Sequence, residues 1–118
     1  MKTDPEPFLP LSLATQHILL ALSDEDRHGY GIMQEVARQS GGKYKIGSGT
    51  LYDNLEKLIE QGSVVEARSL STKEDPRRRY YRMTTLGRGV FSAEVNRLES
   101  MVRQGKLRLR GAGPKEVL

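Results

Sequence analysis

The sequence predicts a mainly α-helical fold with a small β-hairpin: a winged helix-turn-helix followed by a C-terminal dimerisation helix. Three observations lead there. Leu51, Leu55, Leu58 and Ile59 recur at i, i+4, i+7 and i+8, the strongest helical signal in the chain. The period then changes, and residues 63–70 and 78–84 form two short segments with β-branched or aromatic content on either side of a polar stretch that ends in Asp75-Pro76. Finally Phe91, Val95, Leu98 and Val102 follow one another at spacings of 4, 3 and 4, a heptad-like seam.

Each element has its own justification. Residues 1–10 hold three prolines and little periodicity, so they read as a flexible N-terminal arm. Ser12 is a plausible N-cap for a first helix over residues 12–23, whose apolar face is Leu11, Ala14, Ile18, Ala21 and Leu22. The polar run 24–27 stops it. A second helix opens near Gly29, carries Ile32, Met33, Val36 and Ala37 on one face, and ends at Ser40-Gly41-Gly42, where glycines supply left-handed caps. Gly47-Ser48-Gly49-Thr50 opens the third helix, capped by Ser48 or a neighbouring glycine and closed by Gly62. In the hairpin, neighbours along a strand point to opposite faces, so Tyr80 and Tyr81 divide between core and outside. Thr84 or Thr85 caps the last helix and Gly105 ends it. The organisation is therefore an arm at 1–10, a winged helix-turn-helix domain at 11–84, a dimerisation helix at 85–106 and a mobile tail at 107–118.

Composition removes whole classes of function. At 118 residues and 13.3 kDa the chain fits one domain, too little for a two-domain enzyme. A mean hydropathy of −0.57 with 29% charged residues describes a polar, folded, cytoplasmic protein. With no cysteine there is no disulfide scaffold, thiolate metal site or thiol nucleophile, and two histidines make a dedicated metal site improbable. No phosphate loop, dinucleotide-binding glycine motif, paired-histidine motif or serine with a nearby base is present, so no catalytic residue, metal or cofactor is expected. The longest apolar run, residues 18–22, is far below the roughly 20 residues that span a bilayer, and the acidic, proline-broken start is unlike a signal peptide.

The net charge of +4 is unevenly placed. Residues 73–88 and residues 97–110 each carry a net +4, so the rest of the chain is acidic. In a helix-turn-helix the second helix of the unit presents its N-terminal residues to base edges in the major groove, which makes the third helix the candidate reader. Ser48, Gly49 and Thr50, with the free amides of the helix start, suit phosphate oxygens. Tyr52 offers a hydroxyl to the backbone, Asn54 suits adenine, and Lys57 suits phosphate or guanine. Lys43 and Lys45 in the preceding link complete the set. Asp53 either accepts from a cytosine amino group or is simply solvated. Glu56 and Glu60 would repel phosphate, so the helix is expected to enter end-on. Arg77, Arg78 and Arg79 flank the hairpin tip, where a wing lies along the backbone or in the minor groove, and strand alternation keeps all three from contacting DNA equally. His28 and His17 read as capping or hydrogen-bonding groups. The seam of Phe91, Val95, Leu98, Met101 and Val102 predicts a homodimer with two readers about one DNA turn, roughly 34 Å, apart.

The segments His28-Gly29-Tyr30, Gly49-Thr50-Leu51-Tyr52 and Asp75-Pro76-Arg77-Arg78-Arg79-Tyr80-Tyr81-Arg82-Met83-Thr84, with Gly87, resemble the PadR family of transcriptional regulators across residues 9–104. The resemblance implies a homodimeric winged-helix repressor on double-stranded operator DNA of pseudo-palindromic sequence, with the fourth helix exchanged at the interface and occupancy open to a small-molecule effector of unknown identity. The short C-terminal region resembles the branch with a small C-terminal domain. Where the family pattern often has proline, and proline or glycine, this chain has Ser48 and Asp53. Relatives that stack planar drugs use an aromatic residue, often tryptophan; this chain has no Trp, and Phe91 is the only aromatic of its last helix. A second class of function is a winged-helix protein-interaction module without sequence-specific DNA binding, supported by the exposed Glu56 and Glu60.

Overall fold

Ser12 starts the first helix as its sequence position predicts: its backbone is extended and its Oγ accepts the Thr15 amide at 3.2 Å. The computed structural model describes residues 8–67 and 78–111. The elements are α1 (Leu13–Leu22), β1 (Arg27–His28), α2 (Gly29–Gln39), α3 (Ser48–Glu60), β2 (Val64–Ala67), β3 (Tyr80–Met83) and α4 (Thr85–Gly111). Expectations for residues 1–7, for the wing tip including Arg77, and for residues 112–118 lie outside the described residues.

The core joins Ile18 and Leu22 of α1, Ile32 and Val36 of α2, Leu51, Leu55 and Leu58 of α3, and Val64, Tyr81 and Met83 of the sheet. The helical members are positions that helical spacing selects, and α1 buries Leu19 as well because it meets α2, α3, α4 and β3 at once. Ile59 is a correction. It is 37% exposed, since it stands about 100° around the helix from Leu58, past the edge of the buried stripe. The turns follow glycine chemistry: Gly41, Gly42 and Gly62 have φ of 63°, 78° and 83°, the left-handed region that favours residues without a Cβ.

The sheet has three antiparallel strands in the order β1-β3-β2, where two were expected. The extra strand pairs Arg27 with Tyr81 and His28 with Tyr80, and two residues are too few to leave a period in the sequence. The tyrosines do divide between the two faces, but the outward one is not exposed. Tyr80 and Tyr81 are both buried, because β3 is the central strand: Tyr81 enters the core, and Tyr80 is covered on the other face by the His28 ring, edge-on at 5.4 Å.

Thr84 caps α4, its Oγ1 accepting the Gly87 amide at 3.0 Å and donating to the Gly62 carbonyl. Helix and strand touch backbone to backbone here, since a Cβ on Gly87 would lie 2.0 Å from the Ser63 carbonyl oxygen. The end expected at Gly105 is corrected. The helix runs on to Gly111, so residues 107–111 belong to it rather than to a tail. Gly105 keeps a negative φ, and a helical glycine weakens a helix by only about 1 kcal/mol. Arg108 and Arg110 occupy the last turn, where cations favour the helix terminus.

Candidate nucleic-acid interface

The link between α2 and α3 is short and firmly held. Ser40 Oγ accepts the Tyr44 amide at 3.0 Å, the Tyr44 ring stacks on His17 at 4.8 Å, and Ile46 is buried. His17 also meets the Gln39 amide group at 3.1 Å, so it serves packing and hydrogen bonding, as expected. This anchoring leaves Lys43 and Lys45 exposed immediately before α3, together with Ser48, Gly49 and Thr50 in its first turn. Of the two capping options, Gly47 is the one used, in extended backbone. A glycine cap brings no side-chain oxygen to the first amides, so these donors point outward beside the two lysines.

Three stretches far apart in sequence converge next to that helix start. The Tyr52 ring lies over Gly29, where a Cβ would come within 2.1 Å of its Oη, so the start of α2 must be glycine for α3 to approach it in this way. His28, Tyr30, Tyr52, Arg78, Arg79 and Tyr81 line a cleft of about 480 Å³ around this contact. Tyr30 and Tyr52 are exposed on its rim. Burial pushes the Tyr81 hydroxyl at its floor above its usual pKa. His28 caps α2, its Nδ1 accepting the Gly31 amide at 3.0 Å, and its Nε2 lies 2.8 Å from Arg78 Nη1. Arg79 makes an exposed 3.5 Å contact with Glu66, the kind of pair that salt screens and that yields readily to another anion.

Two sequence candidates go elsewhere. Asn54 is turned into the α1–α3 contact, its Oδ1 accepting from Thr15 Oγ1 at 3.1 Å and its Nδ2 donating to the Thr50 carbonyl at 2.8 Å. Both ends of the amide thus make a hydrogen bond inside the fold. Lys57 is exposed, but it borders a separate cleft with Leu11, Thr15, Asn54 and Gln61 on the α1 side of α3. Asp53, Glu56 and Glu60 are exposed.

The basic run of residues 73–88 also divides by role. Arg82 is clamped to Asp26 by contacts of 2.8, 3.1 and 3.2 Å, which ties β3 to the loop before β1. Arg88 donates to the Ser23 carbonyl at 3.1 Å and Arg27 to the Ala21 carbonyl at 2.7 Å, so two guanidinium groups cover the C-terminal end of α1. Among the described residues of that run, Arg78 and Arg79 are the arginines that line the cleft.

Glu94 is the structurally decisive residue that sequence reading missed. It is fully buried on α4 and accepts from the Leu11 amide at 2.9 Å, from Gln16 Nε2 at 3.0 Å and from Arg97 at 2.5 and 3.0 Å. The Arg97 guanidinium, with the Leu11 and Gln16 donors, holds its carboxyl at about 2 against the opposing effect of burial. The signal available was its place one residue before Val95 on an otherwise apolar stretch of helix. Phe91 differs from the rest of the seam. It is half-buried against the chain's own core, because the first half of α4 packs on the domain, whereas Val95, Met101 and Val102 are exposed.

A three-helix head, a three-stranded sheet with a wing, and a basic helix start beside that wing define a winged helix-turn-helix protein. Residues 18–93 match the model of the transcriptional regulator PadR-like family, and the chain belongs to that family, one of transcriptional regulators rather than enzymes. It is 32% identical over 94 residues to an uncharacterised protein of Lysinibacillus sphaericus, covering 75% of this chain and 85% of that one. It is also 32% identical over 88 residues to the transcriptional regulator Rv3488 of Mycobacterium tuberculosis, covering 75% and 78%. Among solved structures, a transcriptional regulator from Clostridium thermocellum superposes with a TM-score of 0.67 at 25% identity over 79% of this chain and 86% of that one. Bacillus subtilis PadR in complex with operator DNA shares the fold, with a TM-score of 0.60 at 19% identity over 73% and 48%. No helix among the described residues is long and apolar enough to cross a membrane.

Proposed function

We propose that this chain is a sequence-specific repressor that binds double-stranded DNA as a homodimer on a pseudo-palindromic operator. The observation that carries the reading is the convergence of the α3 start with Arg78 and Arg79 across the His28–Tyr52 cleft. Ser48, Gly49 and Thr50 enter the major groove end-on, Lys43 and Lys45 follow one phosphate strand, and the wing arginines follow the other side of the same groove wall. Glu56 and Glu60 lie further along α3, away from the phosphates, which is why the helix enters by its tip. The seam of Val95, Leu98, Met101 and Val102 pairs two chains, and two readers then meet two half-sites about 34 Å apart. Occupancy is open to a small-molecule effector of unidentified chemistry. The fold shared with a PadR protein in complex with operator DNA supports this reading.

The test is binding of the purified protein to its own upstream DNA and to a scrambled duplex at two salt concentrations. Selective binding that weakens with salt is expected, because neutralised phosphates release counterions. Equal, weak binding to both duplexes, unchanged when Arg78 and Arg79 are replaced, would favour a protein-interaction module instead.

A further inference from the structure

The cleft between α2, α3 and the base of the wing combines two kinds of surface, of which duplex DNA can use only one. Its volume of about 480 Å³ falls within the roughly 300–1,000 Å³ of small-molecule sites, and its lining has their composition, mostly aromatic with a few charged groups. Tyr30 enters from α2 and Tyr52 from α3, both exposed, while Arg78 and Arg79 enter from the chain just before β3. The guanidinium groups suit phosphate. The tyrosine rings suit the flat face of a base, because every base has a π-face to stack. In duplex DNA the bases are stacked inside the helix, so a wall of this kind meets the phosphates alone. A free nucleotide carries an unstacked base and a phosphate together, and so engages both surfaces.

The charge at the cleft is poised for exchange. Glu66 stands opposite Tyr81 in the β2–β3 ladder, and Arg79, two residues before Tyr81, meets that carboxylate diagonally at 3.5 Å. The two side chains are 76% and 52% exposed, so the pair is weak, and a phosphate monoester of about −1.5 to −2 charge competes well with a single carboxylate. Arg78 is steadied by its 2.8 Å hydrogen bond with His28.

We infer that this cleft binds a free nucleoside monophosphate, with its base against Tyr30 and Tyr52 and its phosphate on Arg78 and Arg79, and that the bound nucleotide excludes DNA by occupying the same surface. The exclusion rests on the proposed DNA-binding function, whereas the nucleotide site does not. Such an effector is a direct competitor of the operator and needs no conformational relay.

The experiment titrates the full chain at constant ionic strength with adenosine monophosphate (AMP), adenosine, inorganic phosphate and benzoate. AMP should bind at least about tenfold more tightly than any of the other three, since none of them joins a base to a phosphate. Tyr30→Ala and Arg79→Gln, both at exposed positions, should each weaken AMP about tenfold with unchanged thermal midpoints. If one variant lowers the midpoint, the other decides. AMP binding that a variant of unchanged midpoint does not weaken overturns the cleft as its location. Benzoate as tight as AMP makes this a site for aromatic acids and overturns the nucleotide, and a single-stranded DNA decamer more than about tenfold tighter than AMP makes it a strand site and does the same. On a duplex that the wild type enriches from a randomised pool, the apparent Kd for DNA should rise in proportion to AMP without a plateau, and Tyr30→Ala should blunt that response. A plateau overturns the exclusion, because an effector acting from a remote site has only a finite coupling free energy to spend. A wild-type protein that enriches no duplex removes the proposed function and the exclusion with it, while the titrations still decide the nucleotide site.

Discussion

The two halves of α4 are one helix by backbone and two different objects by environment. Residues 85–98 are built into the domain: Gly87, Val90 and Glu94 are buried, Phe91 packs on the core, and Thr84 caps the start. Residues 99–111 are exposed almost throughout, with Met101 at 69%, Val102 at 53% and Leu109 at 82%. Helix formation is thus a local property that both halves share, whereas burial belongs to the first alone. Exposed apolar side chains spaced along a helix are the pattern expected of a surface covered by a partner, and the spacing of Val95, Leu98 and Val102 continues through Gly105 to Leu109.

Substitutions in each half sharpen the contrast. Gly87→Ala should have the largest effect, destabilising the chain by about 3 kcal/mol in urea unfolding, because its Cβ would meet the backbone of Ser63 and not a side chain able to turn aside. Glu94→Ala should follow at about 2 kcal/mol, since it strips three donors of their acceptor while Arg97 remains able to reach water. Its carboxyl also sets a pH dependence. The group sits at about 2 in the folded chain against a usual value of 4.5, so its stabilisation is complete above pH 4.5 and is lost as pH falls from there toward 2. The urea midpoint of Glu94→Gln should therefore change less across that window than the wild-type midpoint. In the second half, Val102→Asp should leave the monomer's unfolding unchanged at low concentration and weaken self-association at least about tenfold by light scattering, as a carboxylate enters an apolar seam. The smallest effect is expected at Gly105→Ala, a gain of about 0.5–1 kcal/mol, because nothing lies within 4 Å of its would-be Cβ. A loss there as large as that at Gly87 would erase the distinction between the halves.

What could be read from the sequence follows the range of the physics involved. The faces of α1, α2 and α3 were legible because helical burial repeats every three or four residues, and Ser12, His28 and Thr84 were legible as caps because capping is local. The strand β1 was not, because two residues carry no period, and with it went the true burial of Tyr80. Charge was legible as a sum but not as roles. Arg82 and Arg88 stand within a few residues of Arg78 and Arg79, yet they serve Asp26 and the end of α1, partners 56 and 65 residues away in sequence. The bond of Asn54 to Thr15 was hidden for the same reason, since only the fold brings the two together. Within the candidate site, the motifs pointed to the right segments, but the seating of Tyr52 on Gly29 is a contact between α3 and α2 that no single motif encodes.

The bond from the Leu11 amide to Glu94 ties the root of α4 to the entrance of α1. From Glu94 to the helix end is a rigid rod of about 25 Å, so a tilt of roughly 10° at that root swings the far tip by about 4 Å. A protein paired through such a tip would translate a sub-ångström shift around one buried carboxylate into a change in the distance between its two reading heads, with the rod serving as the lever.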